Sequence, residues 1–296
     1  MEKEKPTRAL VLGGGGQVGK AWLSGLISQL IEDDVQLQNA DVIIGTSAGS
    51  QMGIELALGI FDIKNIPAVP TAYTDFNYTP SDAFTQLYPL MAKAAVSSDP
   101  ESIRKIIGKS ALEANTMTEK QALQRIDNLD GYAWPKNFKA TAVSATTGIF
   151  SLWDKDSEVE LKIGVASSRA LPGIFPPVTI NGDRYVDGGV RSMINADAAV
   201  GNDSVIVISC FSLDISADNT PQDILNQGLL AEIEFLRKNG SKVKVITPSA
   251  EFLTLTKNGT DMLNLSLIPE AWQIGRTQAN TEKDDIAGEW FKNNNQ

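Results

Sequence analysis

The sequence predicts an α/β domain built on a mostly parallel sheet with helices on both faces. Two strand–glycine–helix units fill the first 60 residues, and apolar runs alternate with helical patterns again from Lys139. No internal repeat and no clear linker divides the 296 residues, so residues 1–296 are expected to form one domain.

Arg8-Ala-Leu-Val-Leu12 is a short apolar run stopped by four glycines, the pattern of a buried parallel strand. Lys20 to Ile31 carries apolar residues at helical spacing (Trp22, Leu23, Leu26, Ile27, Leu30, Ile31). Asp41-Val-Ile-Ile44 is a second buried strand, and Gln51 to Ile60 is expected to be helical. Residues 61–135 read differently: a loop from Pro67 to Pro80 leads into helical patterns at Asp82–Val96, Pro100–Leu112 and Thr118–Leu129. Such an insert either caps a site or forms an outer layer. Strands resume at Thr141–Ala145 and Phe150–Asp154, and Asn181-Gly182 between two apolar runs marks a hairpin. Ser204–Cys210 and Lys242–Ile246 are further buried strands around an amphipathic helix, Gln222–Asn239, and the tail from Asp261 to Phe291 is expected to be helical with an interruption at Pro269.

Composition excludes several classes of function. With 42% hydrophobic and 21% charged residues the chain is long enough to bury a sizeable core. A formal charge of −10 argues against nucleic-acid binding and against purely electrostatic docking to an anionic membrane, leaving an apolar face as the route to lipid. Met1 to Pro6 carries four charges and leads directly into a strand, with no signal-peptide core behind it. A cytoplasmic protein, at most peripheral to a membrane, is expected. The single cysteine, Cys210, reads as a small buried hydrophobe. There is no histidine, so a Ser-His-Asp triad, a Cys-His pair and a His-based zinc site are excluded. No cofactor or metal is expected.

Gly13-Gly-Gly-Gly-Gln-Val-Gly19 ends a strand and opens a helix, which allows three chemistries. A dinucleotide fingerprint is matched literally by Gly14, Gly16 and Gly19, but the acidic residues near the required distance, Glu32 to Asp34, follow a helix rather than a strand. A phosphate loop is nearly complete through Lys20, but Ala21 stands where a Ser or Thr would hold Mg²⁺. The third reading is an oxyanion hole of backbone amides at a helix N-terminus.

Gly45-Thr-Ser47-Ala-Gly49 favours the third. A serine flanked by glycines between strand and helix fits a nucleophile elbow, and together the two loops supply a nucleophile and an anion site. The base must be something other than histidine. Ser102-x-x-Lys105 has the spacing of a Ser-Lys pair but lies on an isolated helix. Asp187, in Val186-Asp-Gly-Gly189 at the end of the hairpin, is the better candidate, although spacing alone leaves Asp183 and Asp197 open.

The motifs resemble those of the patatin-like phospholipases, in the form of the bacterial-type patatin domain. The matching runs are Leu10 to Leu26 through the glycine loop, Asp41-Val-Ile-Ile-Gly-Thr-Ser-Ala-Gly-Ser50, Ala166-Ser-Ser-Arg-Ala-Leu-Pro-Gly-Ile-Phe-Pro-Pro-Val178, and Tyr185-Val-Asp-Gly-Gly-Val-Arg191 with Asn195 downstream. They cover residues 8–60 and 140–200, in order. The resemblance implies a three-layer α/β/α fold and calcium-independent hydrolysis of lipid acyl esters. It implies Ser47 as nucleophile, Asp187 as base and Gly14, Gly15 and Gly16 as the oxyanion loop. The chain departs from the pattern at Val18, where the family usually has Arg or Lys, so a cation beside the loop is missing unless Lys20 substitutes. It also has Trp22 where many relatives have histidine, and Asn195-Ala-Asp197 for Asn-x-Pro.

The expected reaction is attack by Ser47 with Asp187 taking its proton, then hydrolysis of the acyl-enzyme, with a lipid or other acyl ester as substrate and no histidine-like limb near pH 6.5. The acyl chain is expected against the insert (Phe84, Leu87, Leu90, Met91, Ile106, Ile107) and Phe252–Ile268. The rival readings are a catalytically silent scaffold and a nucleotide-binding module.

Overall fold

The computed structural model describes residues 6–67 and 80–291, without the side chains of 80–86, 289 and 291. Among the described residues, eight strands form one sheet with hydrogen-bonded order β5-β6-β3-β2-β1-β7-β8, and β4 pairs with β3 as well. The strands are β1 (Arg8–Leu12), β2 (Val42–Gly45), β3 (Phe138–Ser144), β4 (Phe150–Trp153), β5 (Val178–Ile180), β6 (Asp183–Asp187), β7 (Ser204–Ile208) and β8 (Lys242–Ile246). Strands β3, β2, β1, β7 and β8 are mutually parallel, while β4, β5 and β6 add antiparallel pairs. The hairpin turn has positive φ at both Asn181 (50°) and Gly182 (84°), as a type I′ turn requires.

The central strands are buried on both faces, which is why they read as unbroken apolar runs. Leu10, Leu12, Ile43, Ile206 and Ile208 pack against α1 (Gly16–Glu32), α2 (Ala48–Ala57), α6 (Leu161–Ser168), α8 (Ala250–Leu255) and α9 (Ile268–Phe291). On the opposite face, Ala9, Val11, Ile44, Val205 and Val207 meet Leu229 and Leu236 of α7 (Pro221–Lys238). Beside α7 lie α3 (Pro80–Ala95) and α4 (Pro100–Glu113), whose Met91 and Ile107 pack with Val143 and Val186. The result is a three-layer α/β/α architecture, with α3, α4 and α5 (Glu119–Gln124) supplied by the insert.

Some boundaries move for identifiable reasons. α1 begins at Gly16 rather than Lys20, and α2 at Ala48 rather than Gln51, because a helix can start on glycine or alanine that apolar periodicity does not register. α6 escapes a periodicity search because Leu161, Gly164 to Ser168 are all buried, leaving no polar face. The third helix of the insert is short, ending at Gln124 before a 3₁₀ turn at Asp127–Leu129. Pro269 does not interrupt a tail helix; it is the second residue of α9, where a missing amide costs nothing. Most of the Pro67–Pro80 loop lies outside the described residues.

Topology locates the site. From β1 the chain runs through α1 to β2 on one side, and β7 lies on the other, so the strand order switches direction at β1/β7. Ligands in open α/β sheets bind at the carboxyl ends of strands beside such a switch. A second feature acts alongside it. Ala140 of β3 pairs with both Gly45 and Trp153, and Ala142 with both Ser151 and Asp187. Because β4 holds one edge of β3 from Ala140 to Val143, β2 and β6 share the other edge end to end. β2 runs parallel to β3 and β6 antiparallel, so their carboxyl ends point at each other; Ser47 lies just past the end of β2 and Asp187 ends β6.

Candidate active site

Ser47 sits between β2 and α2 with φ 54° and ψ −119°, a backbone conformation that costs about 1–3 kcal/mol for a non-glycine residue. Its flanking glycines are required by close approach: a Cβ on Gly45 would lie 2.3 Å from Ser50 Cα, and one on Gly49 would lie 2.1 Å from the Leu12 carbonyl oxygen. The Ser47 amide donates to the Ser168 hydroxyl (3.2 Å), and its carbonyl accepts from Ser50 Oγ (2.7 Å), which locks the turn.

Asp187, the last residue of β6, is 1% exposed. Its Oδ1 accepts from the Gly189 amide at 2.7 Å, while Oδ2 is buried without a hydrogen bond of full geometry. Burial pushes the carboxyl up to about 7, and the Ser47 hydroxyl, the Gly189 amide and the charge of Arg169 each pull back against it. The alternatives that spacing left open are engaged elsewhere. Asp183 accepts from Ser144 (2.7 Å) and Thr146 (2.5 Å), and Asp197 pairs with Arg191 (3.0 and 2.5 Å).

The glycine loop does not act as three equivalent donors. The Gly14 amide donates to the Met193 carbonyl at 2.7 Å, so the expectation that Gly14 serves the anion site is corrected: its N–H is spent on holding the loop. The Gly15 and Gly16 amides donate to no other described group and line the pocket with Ser47. Gly15 leaves no space for a side chain, since a Cβ would lie 2.5 Å from Cys210 Cβ; Gly16 has φ +60°, and a Cβ there would lie 2.6 Å from the Met262 carbonyl oxygen. Cys210, buried beneath the loop, packs as the small apolar residue expected. Ala48, the first residue of α2, lines the same pocket.

Behind the two turns lies a buried polar network. Asn195, fully buried with φ 54°, donates through Nδ2 to Thr46 Oγ1 (3.1 Å), the Gly188 carbonyl (3.2 Å) and the Ser192 carbonyl (2.6 Å). Its Oδ1 accepts from Arg191 at 2.7 Å, and Thr141 Oγ1 donates to Thr46 Oγ1 at 2.9 Å. One side chain thus ties the residue before Ser47 to the residue after Asp187. At its side, the half-buried Glu232 accepts from the Ala196 amide (2.8 Å), and desolvation together with the charge of Asp197 pushes it up to about 7.

The pocket above Ser47 and Asp187 encloses about 640 Å³, its mouth included, and its walls are mainly apolar: Leu87, Met91, Leu171, Phe175, Val190, Met193, Phe211 and Leu263 among them. The insert therefore contributes a wall through Leu87 and Met91. Ile107 packs in the core, Ile106 is 54% exposed, and the Phe84 side chain lies outside the described residues. Of Phe252–Ile268, Leu263 reaches the pocket, whereas Phe252 is buried against Trp22, ring centroids 5.3 Å apart.

Lys20 does not replace the cation missing at Val18. It is bound to Glu55 at 2.7 Å. The cation beside the site is Arg169, at the end of α6, which lines the pocket and acts on Asp187. Arg169 lies within the Ala166–Val178 run, but nothing local to that motif signals how close α6 comes to β6. Ser102 donates to Asp99 at the start of α4 and does not line the pocket. Among the described residues, no group of three or more His, Cys, Asp or Glu side chains is arranged to hold a metal, and no helix is long and apolar enough to cross a membrane.

Comparison with known proteins adds a family. A family model described as Patatin-like phospholipase matches residues 10–200, which span both the glycine loop and the Asp-Gly-Gly turn. No curated protein matches the chain. Among solved structures it is similar to the crystal structure of VipD from Legionella pneumophila, at 14% identity and a TM-score of 0.46, with 95% of this chain and 67% of that chain covered; the likeness is too loose to carry an argument.

Proposed function

The chain belongs to the patatin-like phospholipase family, and from that premise we propose that it is a lipid acyl hydrolase working through a Ser47–Asp187 dyad and an acyl-enzyme. The observation that carries the reading is a serine on a strained elbow whose hydroxyl acts on a buried carboxyl with a raised pKa, both lining one mainly apolar pocket.

In this reading Asp187 takes the hydroxyl proton as Ser47 Oγ bonds to the ester carbonyl carbon. A carboxylate with its ordinary pKa near 3.9 is a poor base at neutral pH, and desolvation raises its proton affinity into the working range. The oxyanion faces the amides of Gly15 and Gly16 and the Ala48 amide at the N-terminus of α2, donors whose individual removal costs about 3–4 kcal/mol in comparable sites. The ester C–O bond then breaks, the alcohol leaves with the proton held by Asp187, and water attacks the acyl-enzyme with Asp187 as base again. The acyl chain lies against Leu87, Met91 and their neighbours.

The test is labelling with a fluorescent fluorophosphonate, on wild type and on folded Ser47→Ala and Asp187→Asn proteins. Labelling is expected to vanish in Ser47→Ala and to slow by about 10²-fold or more in Asp187→Asn. Well-folded wild type that never labels, in detergent micelles as well as in buffer, would favour a silent scaffold.

A further inference from the structure

Five residues after the Asp-Gly-Gly turn touch both halves of the site. Ser192 to Ala196 leads from the 3₁₀ turn Gly188–Val190 into the 3₁₀ turn Ala196–Ala199. Its three middle residues each bind a polar group of one of the two facing turns. The Met193 carbonyl accepts from the Gly14 amide (2.7 Å), the Ile194 carbonyl accepts from the Thr46 hydroxyl (3.3 Å), and Asn195 Nδ2 donates to that same hydroxyl (3.1 Å). Gly14 belongs to the glycine loop, and Thr46 immediately precedes Ser47. The placement of this segment therefore sets how the glycine-loop amides stand against the serine.

Both ends of the segment are bound by one side chain of α7. Glu232 accepts from the Ala196 amide at 2.8 Å, and the Ser192 hydroxyl donates to the same carboxyl. Ser192 Oγ in turn accepts from the amides of Ile194 (3.2 Å) and Asn195 (2.9 Å), which carries its orientation into the middle residues. Residue type sets Glu232 apart from its surroundings. It stands one turn from Leu229 and one from Leu236, both buried in the stripe that α7 lays on the sheet. A carboxyl at such a position is partly desolvated, which is costly unless hydrogen bonds compensate, and an apolar residue would suit the stripe better. Glu232 also lies beyond residue 200, where the match to the family model ends.

We propose that Glu232 is a positioning residue for the reaction, clasping Ser192 and Ala196 so that Met193 holds the glycine loop and Asn195 holds the serine turn at one fixed separation. The assignment rests on the acyl-hydrolase reading. Glu232 touches neither substrate nor the reacting atoms; it acts through the segment it clasps. Its hydrogen bond to the Ala196 amide needs an acceptor oxygen rather than a charge, so an amide in its place serves that end of the clasp and an aliphatic side chain serves neither end.

The experiment measures hydrolysis of a p-nitrophenyl ester at about pH 9, where Asp187 is ionised in every variant. Alongside it runs inhibition by a trifluoromethyl ketone, which adds to a reactive serine and leaves an oxyanion facing the anion site. At equal folded fraction, Glu232→Leu is expected to lower kcat by about tenfold or more with KM within about twofold, and to weaken the ketone by a similar factor. Glu232→Gln is expected to recover most of both losses. Activity that merely tracks folded fraction, a raised KM with kcat unchanged, or Glu232→Gln no better than Glu232→Leu would overturn the proposal. Should Glu232→Leu not fold, Ser192→Ala opens one end of the clasp, and kcat and ketone affinity are expected to fall together while KM holds; wild-type values there would overturn it. Wild type that neither hydrolyses the ester nor labels at Ser47 marks a failure of the hydrolase reading, and the role of Glu232 falls with it. An active wild type beside unimpaired variants marks a failure of the Glu232 assignment alone.

Discussion

In the proposed reaction Asp187 combines two properties that oppose each other: it would have to ionise to act as a base, and its burial resists ionisation. With its pKa raised to about 7, kcat/KM should rise with pH through that value with unit slope and level off above it. This revises the expectation of a profile lacking a limb near pH 6.5, since a desolvated carboxylate titrates where a histidine would. Glu232, also near 7, is the competing source. A limb that survives in Glu232→Gln belongs to Asp187; one that disappears there sinks the assignment. The same shift acts on stability. A native state that holds a proton longer than the unfolded chain loses stability as pH rises from about 4 to about 7. Asp187→Asn should therefore be the more thermostable protein at pH 8, by the order of a few kcal/mol, and lose that advantage below about pH 4. Thermal melts of the two proteins across pH measure this directly.

At the scale of elements, the proposed catalysis depends on two turns from different strands being held at one separation. Asn195 is the side chain that spans them, through Thr46 and Gly188. Asn195→Asp keeps the shape but loses the amide donors. It should slow fluorophosphonate labelling by about 10²-fold, beyond what its loss of stability explains, because small misplacements of a nucleophile are costly. Thr46→Ser, which retains the hydroxyl, should label near the wild-type rate, whereas Thr46→Val should not. Labelling rates compared at equal folded fraction decide it; a rate that merely tracks stability would leave Asn195 a packing residue. The insert helix α3 contributes the other element-scale effect. Met91 is 3% exposed in the protein and lines the pocket, so Met91→Trp should shift preference toward shorter acyl chains in a p-nitrophenyl ester series. An unchanged chain-length profile would remove α3 from the acyl site.

Over the whole molecule, the formal charge is −10. Long-range repulsion from an anionic lipid surface is screened once the Debye length falls to about 8 Å near physiological salt, while burial of apolar side chains in the lipid does not depend on that field. Binding to anionic vesicles should therefore strengthen as salt is raised from about 10 mM to about 150 mM. Co-sedimentation with the vesicles measures it, and weakening over that range would show instead that a basic patch governs docking.

Much of the site was legible in short stretches of sequence because its constraints are local. Gly45 and Gly49 flank Ser47 since any Cβ would strike neighbouring backbone, and Gly16 carries a positive φ within the first turn of α1. A steric demand of that kind is written into the few residues that meet it, as is the burial that makes β1 and β7 uniformly apolar. Hence the α/β class, the elbow and the glycine loop could be read from the chain alone. Only the tertiary structure put Asp187 in one pocket with Ser47 while tying Asp183 and Asp197 to other side chains, spent the Gly14 amide on Met193, and brought Arg169 rather than Lys20 to the pocket. Each of these depends on which strand ends meet along one edge of β3 and on which face α6 packs. Those are relations between distant segments, set by register and layer packing, and no local pattern of residue types encodes them.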